Sequence, residues 1–409
     1  MTAPLRHAAF RSLVVGRTVA MAGNALAPIA LAFAVLDLTG SATDLGRVGG
    51  ARSLANVLLL LLGGVLADRL PRRLILVVSS GLAMLTQAAV AVLILTGTAT
   101  LTLLIGLSAV NGAVAAFAFP ATSALLPQTV PAELRQAANA LNRLATNVAM
   151  IGGAALGGVL VTGLGPGWGI AIDAAAFGIA GILFASVRVP SYRGVDTGAR
   201  RSLLSELRDG WAEVASRSWL WAVVVGCCFF NAAQVGALHV VGPVMADQSI
   251  GRTAWGFVLA AQTAGMVAGA LVAMRLRARR LLLVGVCCCV GGVGWLLALA
   301  LYPVLAVLLV AAFLTGVAVE QFDVAWNVSI QEHIPPDRLA RVYSFDAVGS
   351  FLAIPAGQLA AGPAAAAFGP RVTLLGAAVV VLLAVGGMVL SRGVRSLEHT
   401  VAAPESVTV

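Results

Sequence analysis

Lysine is absent from this 409-residue chain, and all 26 of its basic residues are arginines. A P-loop needs a lysine on the nucleotide phosphates and a Schiff-base enzyme needs a lysine amine, so the absence argues against ATP-driven pumping by this chain alone. Charge of either sign is scarce: only 11% of residues are charged, while 60% are hydrophobic and the mean hydropathy is +0.97. An ordinary soluble domain carries about twice that charged share, so a soluble fold is excluded. No His/Cys/Asp metal cluster, Gly-x-Ser-x-Gly elbow or dinucleotide fingerprint occurs, and no cofactor and no enzymatic activity are expected. The five cysteines fall in two apolar runs, Cys227-Cys228 and Cys287-Cys288-Cys289, and read as small buried hydrophobes. The N-terminus shows no small-residue cleavage site after a short apolar core, so the first apolar segment reads as a retained helix.

What is there is a series of long apolar segments. At about 20 residues per crossing, twelve spans are expected, near 12–36, 46–67, 74–96, 100–126, 139–163, 168–187, 220–244, 253–274, 281–300, 303–330, 342–366 and 371–391. With both termini on the cytoplasmic side, 21 of the 26 arginines lie on that side, which fixes the expected orientation by the positive-inside rule. The net charge of +9 is therefore assigned to the membrane face rather than to nucleic acid. The longest loop, 188–219, carries Leu203, Leu207, Trp211 and Val214 at helical spacing opposite Glu206, Arg208, Asp209 and Glu213. It reads as an amphipathic helix on the cytoplasmic surface.

That loop divides the chain into two halves, and the halves echo each other at an offset of about 204 residues. "LPQTVPAELRQAANALN" corresponds to "IQEHIPPDRLARVYSFD", and "GGVLADRLPRR" to "AGALVAMRLRARR". Two parallel six-helix repeats are a layout of secondary transporters, with the substrate site at mid-membrane between them. The expected organisation is an N-terminal six-helix bundle at 1–187, a cytoplasmic linker at 188–219, a C-terminal bundle at 220–395 and a tail at 396–409.

Between spans two and three, Gly64, Asp68, Arg69, Arg72 and Arg73 follow the order Gly-x-x-x-Asp-Arg-x-x-Arg-Arg. This loop resembles the signature loop of the major facilitator superfamily. The resemblance implies that fold, an all-α membrane protein of two pseudo-symmetric six-helix bundles, and makes the Asp and the Arg cluster a latch on the cytoplasmic gate. Pro71 stands where the family commonly has Gly, and the second repeat has Ala273 and Met274 in place of Asp68 and Arg69, so a latch is expected only in the first half. In span five, Gly153-Ala154-Ala155-Leu156-Gly157-Gly158 partly matches the Gly-Pro-x-x-Gly-Gly helix of drug/proton antiporters, and its glycine spacing also suits close helix packing. Together with span one and the stretch entering span eleven, the chain resembles the branch holding enterobactin exporters and macrolide-efflux proteins. Asn24 stands near a position that is often acidic in that branch, and it cannot titrate.

Ionisable groups inside a membrane cost roughly 2.5 to 3.5 kcal/mol on insertion scales and are functional suspects. Span ten sets Glu320, Asp323 and Asn327 on one helical face, and the two carboxylates are candidates for proton coupling, or for a static ion pair with Arg17. Arg17 and Asn24 in span one, Asn111 in span four, Asn231 and Gln234 in span seven, and Asn327 are candidates for the substrate cavity. His239 and Asp173 are expected near the outer surface, and Asp346 in a cytoplasmic charge network with Arg341 and Arg72.

The resulting expectation is a monomeric transporter in the cell membrane, bacterial by composition, whose partners are a small-molecule substrate, protons and the bilayer. Export of a hydrophobic or amphipathic compound in exchange for protons is the leading reading. Import by the same fold and a non-transporting membrane sensor or lipid-modifying enzyme are the alternatives.

Overall fold

The structure is a computed structural model that describes residues 3–69, 71–188, 215–276, 278–335 and 338–399, without the side chains of 61–70 and of a few residues near 120 and 340. Among the described residues there is helix and no strand. The helices are α1 (Ala8–Thr39), α2 (Ala42–Arg69), α3 (Arg72–Leu95), α4 (Leu101–Leu125), α5 (Arg135–Leu164) and α6 (Pro166–Ser186). They continue as α7 (Ser218–Gln248), α8 (Arg252–Ala273), α9 (Leu281–Leu301), α10 (Leu305–His333), α11 (Leu339–Phe351 and Ile354–Phe368) and α12 (Pro370–Leu390). Eleven segments are long and apolar enough to cross a membrane when only described residues are counted. Helix is the form such segments must take, because lipid offers no partner for an open backbone amide.

Turn chemistry sets where the helices stop. Gly40 takes φ 63° after α1 and returns its N–H to Leu36 O, the left-handed cap that glycine adopts without a Cβ clash. Gly165 and Gly369, at φ 88° and 83°, precede Pro166 and Pro370 at the first positions of α6 and α12. Proline is at home there because its missing N–H is an unpaired donor in any case. These two Gly-Pro turns are 204 positions apart, the same offset as the loop echoes.

Packing repeats at that offset too. In the first bundle α1 packs on α5 and α6, α2 on α4, and α3 on α4 and α6; in the second α7 packs on α11 and α12, α8 on α10, and α9 on α10 and α12. A Cβ on Gly153 of α5 would lie 2.2 Å from Ala22 O of α1, and one on Gly357 of α11 would lie 2.1 Å from Ala232 O of α7. The bundles meet along two symmetry-related seams, α5 with α8 and α2 with α11. At the first seam Gly158 and Gly256 sit backbone to backbone, and at the second Gly362 abuts Ala42 and Thr43. Gly158 and Gly362 are again 204 apart. The glycine-rich face of α5 therefore serves two neighbours, Gly153 and Gly157 against α1 and Gly158 against α8.

Counting α2, whose last turns lack described side chains, the helices number twelve, and an even number of crossings puts both described ends of the chain on one face. All the close seam contacts just named are near the opposite, far face. The linker helix expected within 188–219 lies almost wholly outside the described residues.

Candidate functional site

Two cavities adjoin at the middle of the molecule. The larger, about 450 Å³, lies between the bundles and is walled by α1, α2 and α4 on one side and by α7 and α11 on the other. Its polar groups are Arg52, Ser53, Asn56, His239 and Gln358, in a wall otherwise apolar. The smaller, about 270 Å³, is enclosed by α1, α2, α3, α4 and α6 and holds Arg17, Asn24 and Asn111. Arg52 of α2 lines both.

Three of the expected cavity residues thus face the interior of the first bundle instead of the space between bundles. Asn111 is buried and donates to Thr86 Oγ1 at 3.3 Å. Asp173, expected near the outer surface, is fully buried beside them, and accepts from Gln87 Nε2 at 2.5 Å on Oδ2. Its Oδ1 has no hydrogen-bond partner among the described residues and rests close to Gly23, where a Cβ would come within 2.3 Å. Only glycine at that turn of α1 leaves room for the carboxylate. Asp173 and Arg52 interact electrostatically without forming an ion pair.

In the second bundle, Asn231 of α7 donates to Ser350 O of α11 at 3.0 Å, and Gln234 packs against Gly292 of α9. Both bridge helices. On α10, Glu320 packs over Gly269 of α8, Asp323 is exposed, and Asn327 turns back to donate to Asp323 O at 2.8 Å. The basic group that faces both carboxylates is Arg143 of α5, in the other bundle, and not Arg17, the partner of the alternative ion-pair reading. No ion pair joins Arg143 to either of them. Asp346 does not join a charge network with Arg72: its oxygens accept from Trp326 Nε1 at 2.9 Å and Ser350 Oγ at 3.0 Å. That local pairing satisfies the carboxylate within its own bundle.

The far face carries a tighter arrangement. Arg252, at the start of α8, donates to both oxygens of Asp37 at the end of α1, at 2.9 and 2.6 Å, and to Asp247 of α7 at 2.7 Å. Its guanidinium also lies 4.8 Å from the ring centroid of Phe33. Thr253 hydrogen-bonds Thr162 of α5 at 2.8 Å beside it. A bidentate pair of this kind is among the stronger polar contacts, and this one ties the two bundles together.

Of the expected latch residues, Arg73 donates to Ala185 O at the end of α6, and Arg72 is engaged rather than free. Gly64, Asp68 and Arg69 lie in the last turns of α2, and their side chains are outside the described residues.

Residues 1–406 match the family described as "Transmembrane secretion effector". The chain belongs to that family, within the major facilitator superfamily. It is 27% identical over 401 residues to the multidrug efflux pump Tap of Mycolicibacterium fortuitum, covering 93% of each chain. It is 24% identical over 319 residues, 75% of each chain, to the uncharacterized MFS-type transporter YvqJ of Bacillus subtilis strain 168. Among solved structures, a bacterial homologue of the lysosomal transporter Spinster, inward-facing and unoccupied, superposes with a TM-score of 0.74 at 15% identity, covering 97% of this chain and 98% of that one. A bacterial homologue of the iron transporter ferroportin, inward-facing, gives 0.72 at 16% identity, covering 93% and 98%. These likenesses establish the fold.

As a major facilitator protein the chain is a multi-pass membrane transporter and not an enzyme. The sequence pattern missed the Arg252 triad, because Asp37, Asp247 and Arg252 are spread over more than 200 positions and each reads alone as an interfacial charge. It also missed His239 and Arg52 as neighbours in one cavity. The available signal for Arg52 was its charge inside an apolar span; for His239 there was none, since it lies near a span end.

Proposed function

We propose that this transporter exports a hydrophobic or amphipathic small molecule through the cavity between its bundles, in exchange for protons. The carrying observation is the asymmetry of the two faces around that cavity. On the far face the bundles are tied by Arg252, Asp37 and Asp247 and by glycine-lined seams. On the near face Arg143 confronts Glu320 and Asp323 across the bundles without pairing. This supports reading the structure as a state open toward the side of the termini, which the arginine distribution makes the cytoplasm of a cell-membrane protein. The relative described as a multidrug efflux pump supports export.

In the proposed cycle the rigid units are 1–187 and 220–395, and they rock about the central cavity. Opening the far face breaks the Arg252 triad and closes Arg143 onto the α10 carboxylates. Protonation of Glu320 or Asp323 removes the charge that Arg143 attracts and so favours the near-open state. The Asp68 loop, with Arg69, Arg72 and Arg73, biases the same gate. Each step exchanges one interbundle ionic contact for another, so the two states differ by the few kcal/mol that ligand binding can overcome.

The test is accumulation of the uncharged hydrophobic dye Nile red in a pump-deficient bacterial host expressing the chain, with and without a protonophore. Expression is expected to lower accumulation, and the protonophore or Glu320→Gln with Asp323→Asn to restore it while membrane insertion stays intact. Unchanged export in the double variant would remove the α10 carboxylates from coupling.

A further inference from the structure

The cavity between the bundles is walled by cationic and neutral groups, with no carboxylate among the described residues that line it. We propose that it recognises a carboxylate on an otherwise apolar, amphipathic substrate, held between Arg52 of α2 and His239 of α7. The inference rests on the reading above in taking this cavity as the substrate site.

Arg52 carries the argument furthest. A guanidinium has five N–H donors and no means of losing its charge, and inside a membrane protein it is normally paired. Among the described residues it forms no hydrogen bond and no ion pair. The carboxylate it does feel, Asp173, is fully buried on the side of the smaller cavity, with Oδ2 already bonded to Gln87. The donors of Arg52 are therefore left for a group that enters the larger cavity.

His239 approaches from the other bundle. It sits in a π-helical turn, Ala237–Val241, between the two α-helical parts of α7, and its side chain is exposed to the cavity and in electrostatic range of Arg52. A π turn inserts one extra residue in the helix and re-aims the side chains around it, and such turns concentrate at functional sites. The amide of Gln358 completes the polar rim, with Oε1 unpartnered among the described residues. One guanidinium matches one carboxylate in a bidentate pair, and a ring N–H from His239 adds a third donor. A cation would meet repulsion here, and a dianion would bring a second charge with no counterpart. The remaining wall, with Pro28, Leu31 and Phe351 among its residues, suits an apolar body, and about 450 Å³ lies within the usual range for small-molecule pockets.

The test is equilibrium binding of a dansyl-tagged undecanoic acid and its methyl ester to the purified full-length chain in lipid nanodiscs, with empty nanodiscs subtracted. The acid is expected to bind roughly tenfold more tightly than the ester, the factor that 1.4 kcal/mol represents. Arg52→Gln should abolish the preference, Arg52→Lys should retain most of it, and His239→Leu should reduce it severalfold. No saturable binding of the acid, equal binding of acid and ester, or an unchanged preference in a monodisperse Arg52→Gln protein would each overturn the assignment. The assay contains no gradient, so a failure of proton-driven export leaves it standing, and loss of the acid preference leaves export standing.

Discussion

At Gly152 and Gly153, two adjacent glycines in α5 face different surroundings. A Cβ on Gly152 meets nothing within 4 Å, whereas one on Gly153 strikes the backbone of Ala22 at 2.2 Å. Gly152→Ala is expected to be neutral or stabilising by about 0.5–1 kcal/mol, because alanine loses less backbone entropy in a helix. Gly153→Ala is expected to cost about 1–3 kcal/mol through overpacking, as is Gly357→Ala at the repeat-related contact in α11. Thermal unfolding of the detergent-solubilised protein distinguishes these outcomes. Equal stability of the Gly152 and Gly153 variants would show that α1 and α5 are not in the close contact described. At this scale the sequence told little. Both glycines lie in the same "MIGGAALGG" run, and only the direction of the partner helix separates them.

Among elements, the contact expected to set the conformational balance is the one between the ends of α1, α7 and α8. Arg252 is 23% exposed and its partners Asp37 and Asp247 are 44% and 40% exposed, so solvent screening limits the triad to about 1 kcal/mol. That is roughly a fivefold change in the ratio of the two gate states. Arg252→Gln is expected to increase maleimide labelling of a cysteine placed at Thr162, whose hydroxyl is now joined to Thr253. High salt should mimic the substitution partly, since these charges are exposed. If labelling is the same in both proteins, the triad does not hold the far face shut. The α10 carboxylates were legible in the sequence as charges within an apolar run, but their partner was not. Arg143 is about 180 positions away and reads from sequence as one more cytoplasmic arginine, and packing of α5 on α8, which itself packs on α10, brings it to them.

For the whole molecule, the even helix count and the arginine asymmetry predict that both ends of the chain lie in the cytoplasm. A C-terminal green fluorescent protein fusion should fluoresce in a bacterial host, and cysteines near Gly97 and Gly369 should label from outside intact cells. The reverse labelling pattern would invert the orientation and, with it, the direction of export.

The sequence by itself determined the class of fold, because apolar length, arginine placement and a 204-residue repeat are properties of the chain taken locally. Lipid leaves a segment of some 20 apolar residues only the helix as a spanning form, and duplication fixes how many helices there are and how the halves correspond. What only the tertiary structure decided is which polar groups share a space. Arg17, Asn24 and Asn111 turned into the first bundle, Asn231 and Gln234 bridge helices, and Arg52 and His239 meet between the bundles. Those pairings depend on helix rotation and on seams made by glycines 158, 256 and 362. A rotation of one residue on a helix moves a side chain by about 100°, which no span count can detect.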